Sequence, residues 1–361
     1  MYTTFTLRNF RCFGDLTIPE LGRVNLIAGK NNVGKTAFLE GMFMHCGAFR
    51  PELVIKIQAF RGYENIRLEL GPSSEPLWLS IFKDFDVTQT VELAGTDEVT
   101  GLRTLRLRAL STPDELARAG QYIRPLEAGS DAQALSSMEA QVLELTYEYP
   151  SGKGTHYLVV DAKQPRTAPI PAPLFFPAFI LPAERRLPFR EIADRLATVQ
   201  VESQTELLLK ALQRVEPRLR SIELLFQWGE PVLHGRLDGL SRPIPLAVMG
   251  DGMGRLANII IHIVNARRGV LLVDEIENGL HYSVLAKIWE VIIDAAAEFG
   301  CQVVATTHSH ECVVAAYAAA KARGDDQLRY HRLDSVRGAI RAVTYGLDAL
   351  EGAINADVEV R

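Results

Sequence analysis

The sequence predicts an α/β fold built around a parallel sheet, and three observations predict it. The apolar run Val24–Ala28 leads directly into Gly29-Lys30-Asn31-Asn32-Val33-Gly34-Lys35-Thr36, and an apolar-periodic segment opens at Ala37. Strand, glycine loop, helix is the order in which G-x-x-x-x-G-K-[ST] forms a phosphate-binding loop. Far downstream, the short apolar run Gly269–Val273 ends in two acids, Asp274 and Glu275. A third apolar run, Cys301–Thr306, is followed by Thr307 and His308. Short continuous apolar runs bounded by polar residues are what strands buried on both faces look like. In a parallel sheet such strands deliver their next residues to one shared edge.

In the loop, the glycines Gly29 and Gly34 allow the backbone N–H groups of Lys30 to Val33 to turn inward around a phosphate, and the helix start adds its positive dipole end. Lys35 is placed to reach the β- and γ-phosphates, and the Thr36 hydroxyl to sit on Mg²⁺. The competing reading, an ordinary glycine turn, does not account for the strand before and the helix after. Binding of a nucleoside triphosphate is therefore expected.

Composition bounds the remaining classes. The 361 residues are 47% hydrophobic and 23% charged, ordinary for a globular protein with a large core. A net charge of -5 argues against wholesale electrostatic capture of nucleic acid and leaves only a local basic patch for that purpose. Cys12, Cys46, Cys301 and Cys312 lack ligand-like spacing and read as reduced thiols. The opening Met1–Phe5 has no long apolar region, and the runs Leu174–Pro182 and Ile259–Ile263 are too short or interrupted to span a bilayer. A cytoplasmic protein without a membrane is the expectation.

From the start, Thr4–Arg8 alternates, Gly14-Asp15 turns, and Leu16–Ile18 resumes. This opening, through to Glu40, resembles the start of ABC-type ATPase heads of the SMC, RecF and OLD kind. The resemblance implies that Asn9-Phe10-Arg11, an N-F-[RK] element, lies near the nucleotide; a solvated hairpin is the alternative reading of Asn9 and Arg11. It also implies an antiparallel β lobe beside the parallel core. Alternating runs at Leu77–Phe82, Val87–Leu93, Leu102–Leu110, Val142–Tyr149 and Tyr157–Val160 fit such a lobe, with hairpin loops or insertions at Gly95–Gly101 and Leu126–Ser137. Such heads place a Mg²⁺-sensing glutamine at the lobe boundary. Gln58 is the nearest candidate, and an exposed glutamine the plainer reading.

A proline-rich segment, Gln164–Pro173, precedes the apolar strand Leu174–Ile180. Leu187–Phe226 then reads as helical, with apolar positions at Ile192, Leu196, Val199, Leu208, Leu212, Val215 and Leu219, and with Pro217 as a break or kink. No heptad run is sustained, which excludes the long coiled-coil arm of SMC-like proteins. Arg185, Arg186, Arg190, Arg195, Arg214, Arg218 and Arg220 cluster here, as a solvated face or as a contact for nucleic acid or a partner.

The last third carries the second half of the expected site. Gly269–Glu275 has the Walker B pattern, with Asp274 holding Mg²⁺ and Glu275 orienting and deprotonating the attacking water. Upstream, the glycine-rich turn in Met249–Leu256 is similar to the ABC signature. Gly250 stands where that signature has serine, Gly252 matches its glycine, and Asp251 lies between them. By the resemblance, Gly250, Asp251 and Gly252 cap the γ-phosphate of a nucleotide held by a second subunit. Glu277–His281 falls at the D-loop, where His281 is equally a surface residue at a helix start. His308 is similar to the switch histidine of ABC ATPases; His308, His310 and Glu311 as a metal cluster is the alternative. The tail resembles the closing segment of stand-alone OLD-like proteins, with no room for the Toprim nuclease domain that OLD nucleases carry.

These readings divide the chain into residues 1–184 (first part of the head with its antiparallel lobe), 185–226 (a short helical insertion) and 227–361 (signature, Walker B and switch histidine). The expected activity is slow ATP hydrolysis with Mg²⁺ by a homodimer that forms on ATP. That dimer would control a separately encoded effector, in prokaryotic genome or antiphage defence. The alternatives are a RecF-like DNA-repair ATPase that binds DNA directly and a non-hydrolysing nucleotide sensor or scaffold, the latter favoured by the missing signature serine. A transporter ATPase fits worse, given Asn9-Phe10-Arg11 and the lack of a distinctive glutamine loop.

Overall fold

The computed structural model describes residues 1–48, 50–61, 75–123, 141–160, 165–169, 177–183 and 188–356, without the side chains of residues 121–123 and 251. Strands β1 (Tyr2–Phe10) and β2 (Phe13–Ile18) form an antiparallel hairpin, and β3 (Val24–Gly29) leads into the glycine loop. Helix α1 (Lys35–Cys46) follows, then the short helix α2 (Leu53–Ala59). Strands β4 (Val91–Asp97) and β5 (Gly101–Leu110), helix α3 (Pro113–Ile123), and strands β6 (Gln141–Tyr149), β7 (Gly152–Val160) and β8 (Pro165–Ala168) complete the first half. With β1 and β2 they make a seven-stranded antiparallel sheet in the order β2-β1-β4-β5-β6-β7-β8, the expected lobe. Its strands alternate as a half-covered sheet should: Val91 and Leu93 of β4 turn to the core while Glu92 and Ala94 turn away.

Strand β9 (Ala178–Leu181) opens the second half, followed by helices α4 (Phe189–Val201) and α5 (Thr205–Gln213). Strands β10 (Leu219–Gln227), β11 (Glu230–Leu237) and β12 (Ile244–Pro245) form a separate three-stranded antiparallel sheet. Then come α6 (Asp251–Asn265), β13 (Val270–Val273), α7 (Tyr282–Phe299), β14 (Gln302–Thr306), α8 (His310–Arg323), β15 (Leu328–Val336), β16 (Ala339–Tyr345) and α9 (Leu347–Asn355). The central sheet runs β16-β15-β3-β14-β13-β9, parallel except for the edge hairpin β15–β16.

Both faces of this sheet are buried, which is why its strands read as unbroken apolar runs. Leu26 of β3, Leu271 of β13 and Val303 of β14 face a core shared with α6, α7 and α8. Their neighbours Ile27, Leu272 and Val304 face a second core shared with α1 and the antiparallel sheet. Helix α1 thus lies between two sheets, and its apolar residues are buried on every side. That position fixes the helix that begins at Lys35.

Several expectations change. Leu77–Phe82 is not a strand: Trp78, Ile81 and Phe82 are buried anchors among short 3₁₀ turns, and only a single bridge joins Phe82 to Phe10. The lobe's next strand begins at Val91, and Gly95–Asp97 belong to it, leaving a tight turn before Gly101. The helical insertion at 185–226 is shorter than expected: α5 ends at Gln213, and Leu219–Gln227 is strand β10. Its pairing with β11 shifts register between Leu219 and Ser221, and that bulge hides the alternation a strand would otherwise display. Leu126–Ser137, Arg185 and Arg186 lie outside the described residues, as do most of Gln164–Pro173 and the first half of Leu174–Ile180. The remaining arginines of the cluster are paired: Arg190 with Glu230, Arg195 with Glu191, Arg214 with Asp294, Arg218 with Glu216 and Arg220 with Asp238. In these pairs the described part of the cluster is internally neutralised, as a solvated face would be.

Candidate nucleotide site

The loop after β3 is shaped by contacts that leave no room for side chains. At Gly29 (φ 143°) a Cβ would lie 2.4 Å from the Leu333 carbonyl oxygen. At Gly34 (φ 89°) it would lie 2.5 Å from Cys12 Sγ and 2.6 Å from Phe13 Cζ. Only glycine fits either position. Helix α1 starts at once, with no side-chain cap and no acid in its first turn. Its first N–H groups lack intrahelical partners, the usual basis of an anion site. Lys35 folds back over the loop, its Nζ donating to the carbonyls of Gly29 at 2.7 Å and Lys30 at 3.0 Å. Burial lowers its pKa, while Asp274, Glu275 and Glu277 pull the other way and favour the charged form.

The acids arrive from β13. The Thr36 hydroxyl donates to Asp274 (2.9 Å to Oδ2, 3.1 Å to Oδ1), which ties the first turn of α1 to the end of β13. The buried Thr306 hydroxyl, at the end of β14, donates to Asp274 Oδ1 at 2.6 Å and accepts the Glu275 N–H at 2.8 Å. Glu275 itself has φ 45°, a left-handed backbone uncommon for its type. Its carboxylate is held on both oxygens: Asn278 Nδ2 donates to Oε2 at 2.8 Å, and His308 Nε2 lies 3.3 Å from Oε1. Glu277 Oε1 accepts the backbone N–H of His308 at 2.7 Å. From α6, Arg255 Nη2 donates to the carbonyls of Asp274 (2.7 Å) and Glu275 (3.4 Å), and Nη1 to that of Pro182 (3.3 Å). Burial lowers the Arg255 pKa, opposed by Asp274, Glu277 and Glu275.

Several known proteins and families resemble this chain. Residues 149–313 match the family described as "AAA domain, putative AbiEii toxin, Type IV TA system", and residues 4–66 match a family described as "AAA domain". The chain is 22% identical to an ATP/GTP phosphatase of Helicobacter pylori, over 87% of its own length and 86% of the relative. It is also 22% identical to an OLD nuclease of Thermus scotoductus, over 86% of its length but only 59% of that nuclease. Among solved structures, an SMC head bound to the C-winged helix domain of ScpA superposes with a TM-score of 0.50 at 12% identity, covering 98% of this chain and 99% of that one. The chain is an ATPase with AAA-type domains, and it shares its fold with an SMC head.

In this ATPase the structure brings together most of the residues expected at the site: Gly29 to Thr36, Asp274, Glu275 and His308. Asn9 and Arg11 are held by other partners. Asn9 (φ 53°) donates through Nδ2 to the Thr90 carbonyl, and Arg11 (φ 51°) places its Nε 2.7 Å from Glu40 Oε2. The Arg11 side chain is only 8% exposed, so it is no solvated hairpin residue, and its partner Glu40 lies in α1. Gln58 is buried, not exposed, with Nε2 on the Ser80 hydroxyl at 2.7 Å. Gly250 precedes α6, which begins at Asp251, so Gly252 lies in its first turn against Gly279 and Leu280. Among the described residues no group of three His, Cys, Asp or Glu side chains converges as a metal cluster, so His308, His310 and Glu311 do not form one. Four residues at the site were given no individual role by the sequence: Thr306, Arg255, Glu277 and Asn278. The signal for Thr306 was a lone hydroxyl at the end of a buried strand. For Glu277 and Asn278 it was two further polar residues directly behind the acid pair. Among the described residues no helix is long and apolar enough to cross a membrane.

Proposed function

We propose that this ATPase binds ATP with Mg²⁺ between Gly29–Thr36 and Asp274–Glu275, hydrolyses it slowly, and uses it to join two copies of the chain. The observation that carries this reading is the single connected set Thr36–Asp274–Thr306–Glu275–His308, linked by contacts of 2.6 to 3.3 Å at the exits of β3, β13 and β14. A hydroxyl and a carboxylate converging at 2.9 Å are two hard oxygen donors, the set that suits a Mg²⁺ ion retaining most of its waters. Thr36 and Asp274 would hold it, and when bound it supplies neutralisation of phosphate charge. The chain's own residues do the rest. The loop N–H groups and the α1 N-terminus cradle phosphate oxygens, and Lys35 exchanges its two carbonyl acceptors for them. Glu275 accepts a proton from the water that attacks the γ-phosphorus, ADP departs, and His308 keeps the carboxylate aimed.

Gly250 to Gly252, at the uncapped start of α6, would meet the γ-phosphate of a nucleotide held by the second copy. Control of a separately encoded effector in genome defence, in the cytoplasm, is supported by the OLD nuclease and by the toxin–antitoxin wording of the matched family. The test is the mass of Glu275→Gln by light scattering with ATP and Mg²⁺ against ADP, alongside Lys35→Ala. The expected result is a doubled mass with ATP alone, abolished by Lys35→Ala. A mass that ignores the nucleotide refutes the ATP-joined dimer.

A further inference from the structure

Beside the Thr306 hydroxyl's bond to Asp274 Oδ1, three backbone N–H groups make hydrogen bonds across the exits of β13 and β14. Two of them end on Thr306: the Glu275 N–H on its hydroxyl at 2.8 Å and the Ile276 N–H on its carbonyl at 3.0 Å. These fix the strand ends but reach no further. The third runs in the other direction, from the His308 N–H to Glu277 Oε1 at 2.7 Å. Among the described residues it is the hydrogen bond that ties Glu277, behind the acid pair, to the His308 backbone. The preceding residue points away from that turn, since the Thr307 N–H bonds the Ile27 carbonyl of β3 at 3.0 Å. The next is held locally, the Ser309 N–H by the Thr307 hydroxyl at 3.0 Å.

Glu277 is an expensive way to make one hydrogen bond. Its Oε2 is buried and accepts no hydrogen bond among the described residues. Lys35 and Arg255 each sit in the combined field of Asp274, Glu275 and Glu277, so the carboxylate adds a third negative charge to a site that must receive a polyphosphate.

We propose that Glu277 is a positioning residue for hydrolysis: it anchors the His308 backbone so that the imidazole meets the Glu275 carboxylate. Glu277 acts through His308 and touches no reacting atom. Its immediate neighbour completes the arrangement, since Asn278 holds the Glu275 oxygen that His308 does not. One four-residue turn, Glu275 to Asn278, therefore carries both the water-activating acid and the groups that aim it. This inference rests on the hydrolytic reading of the site given above.

The experiment compares Glu277→Ala and Glu277→Gln, each in the parent and in a His308→Ala background, by steady-state ATP turnover. Hydrogen exchange at the peptide containing His308 is followed in parallel. An amide oxygen can accept the same N–H, so Glu277→Gln recovers most of the turnover. Glu277→Ala lowers kcat about tenfold, the scale of one lost hydrogen bond to a charged group, and leaves KM within about twofold. In the His308→Ala background the same change costs less than about twofold, because the two residues act as one unit. The His308 peptide exchanges faster in Glu277→Ala and not in Glu277→Gln. An unchanged kcat in Glu277→Ala overturns the proposal, and so does a full additional loss in the His308→Ala background. Loss in Glu277→Gln equal to that in Glu277→Ala also overturns it, by showing that the charge itself acts. Absence of any Lys35-dependent turnover in the parent defeats the hydrolytic reading instead, and unaltered exchange at His308 then defeats the anchor separately.

Discussion

Thr306→Val is the substitution that best isolates how the site is held. Valine has nearly the shape of threonine, and Thr306 is fully buried, so packing changes little. What disappears is one hydroxyl with two duties: donation to Asp274 Oδ1 at 2.6 Å and acceptance of the Glu275 N–H at 2.8 Å. Loss of a hydrogen bond to a charged carboxylate costs about 1.5–3 kcal/mol, and a buried N–H left without a partner costs about 1–3 kcal/mol. Both losses come from the same atom and overlap, so a total of about 3 kcal/mol is expected. Glu275 should feel it most, since its left-handed backbone loses the partner of its own N–H. Urea unfolding of the parent, Thr306→Val and Thr306→Ser provides the measurement. Serine keeps the hydroxyl and should stay within about 1 kcal/mol of the parent, once the lost methyl is allowed for. Equal stability of the valine and serine variants would refute the reasoning, because the methyl and not the hydroxyl would then be what matters.

Two further outcomes are expected. Glu40→Gln leaves the enclosed Arg11 guanidinium without its counter-charge and weakens the link to Arg61, and breaking a buried pair of this kind costs about 3–5 kcal/mol; a loss below about 1 kcal/mol in urea unfolding would show that the pair is not what stabilises α1. Acid should destabilise the fold well before its carboxylates titrate, because burial pushes the pKa of His45 and His331 down to about 3 and that of His262 to about 4. The unfolded chain binds protons there from about pH 6.5 downward and the folded chain does not, so stability falls with pH, by roughly 2 kcal/mol per histidine at pH 5. A urea midpoint unchanged between pH 7.5 and pH 5 would contradict this.

The phosphate loop, the acid pair and α7 could be read directly from the sequence because each depends on near neighbours. The run Tyr282–Phe299 keeps one apolar face, and His281 and Gly300 close its ends, the former by accepting the Ser283 N–H. What could not be read depends on distant partners. Nothing near Arg11 announces that it will be enclosed against Glu40, with Arg61 on the other oxygen. Gln58 looked exposed because Ser80, its partner, lies in a segment whose apolar spacing imitated a strand. In β10 the bulge at Leu219–Ser221 placed Leu219 and Ile222 three residues apart, which continued the helical spacing of α5 past Pro217. Thr306, Glu277 and Asn278 acquire meaning only once β13 and β14 are seen to be adjacent.

That adjacency has a consequence for how the molecule is made. The strands of the antiparallel sheet all come from the first 168 residues, so that sheet can close while synthesis is still under way. Strand β3 cannot find its place so early. It lies between β14 and β15, and both of its edges stay bare until Gln302–Thr306 and Leu328–Val336 have left the ribosome. The Gln302 side chain then grips the other end of the chain, its Oε1 accepting the Tyr2 N–H and its Nε2 donating to the carbonyls of Tyr2 and Gly22. The glycine loop after β3 therefore takes shape only once β14 and β15 have been made. A nascent chain arrested before residue 302 would carry a folded lobe and no grip on nucleotide, so ATP can engage only a chain made past Thr306.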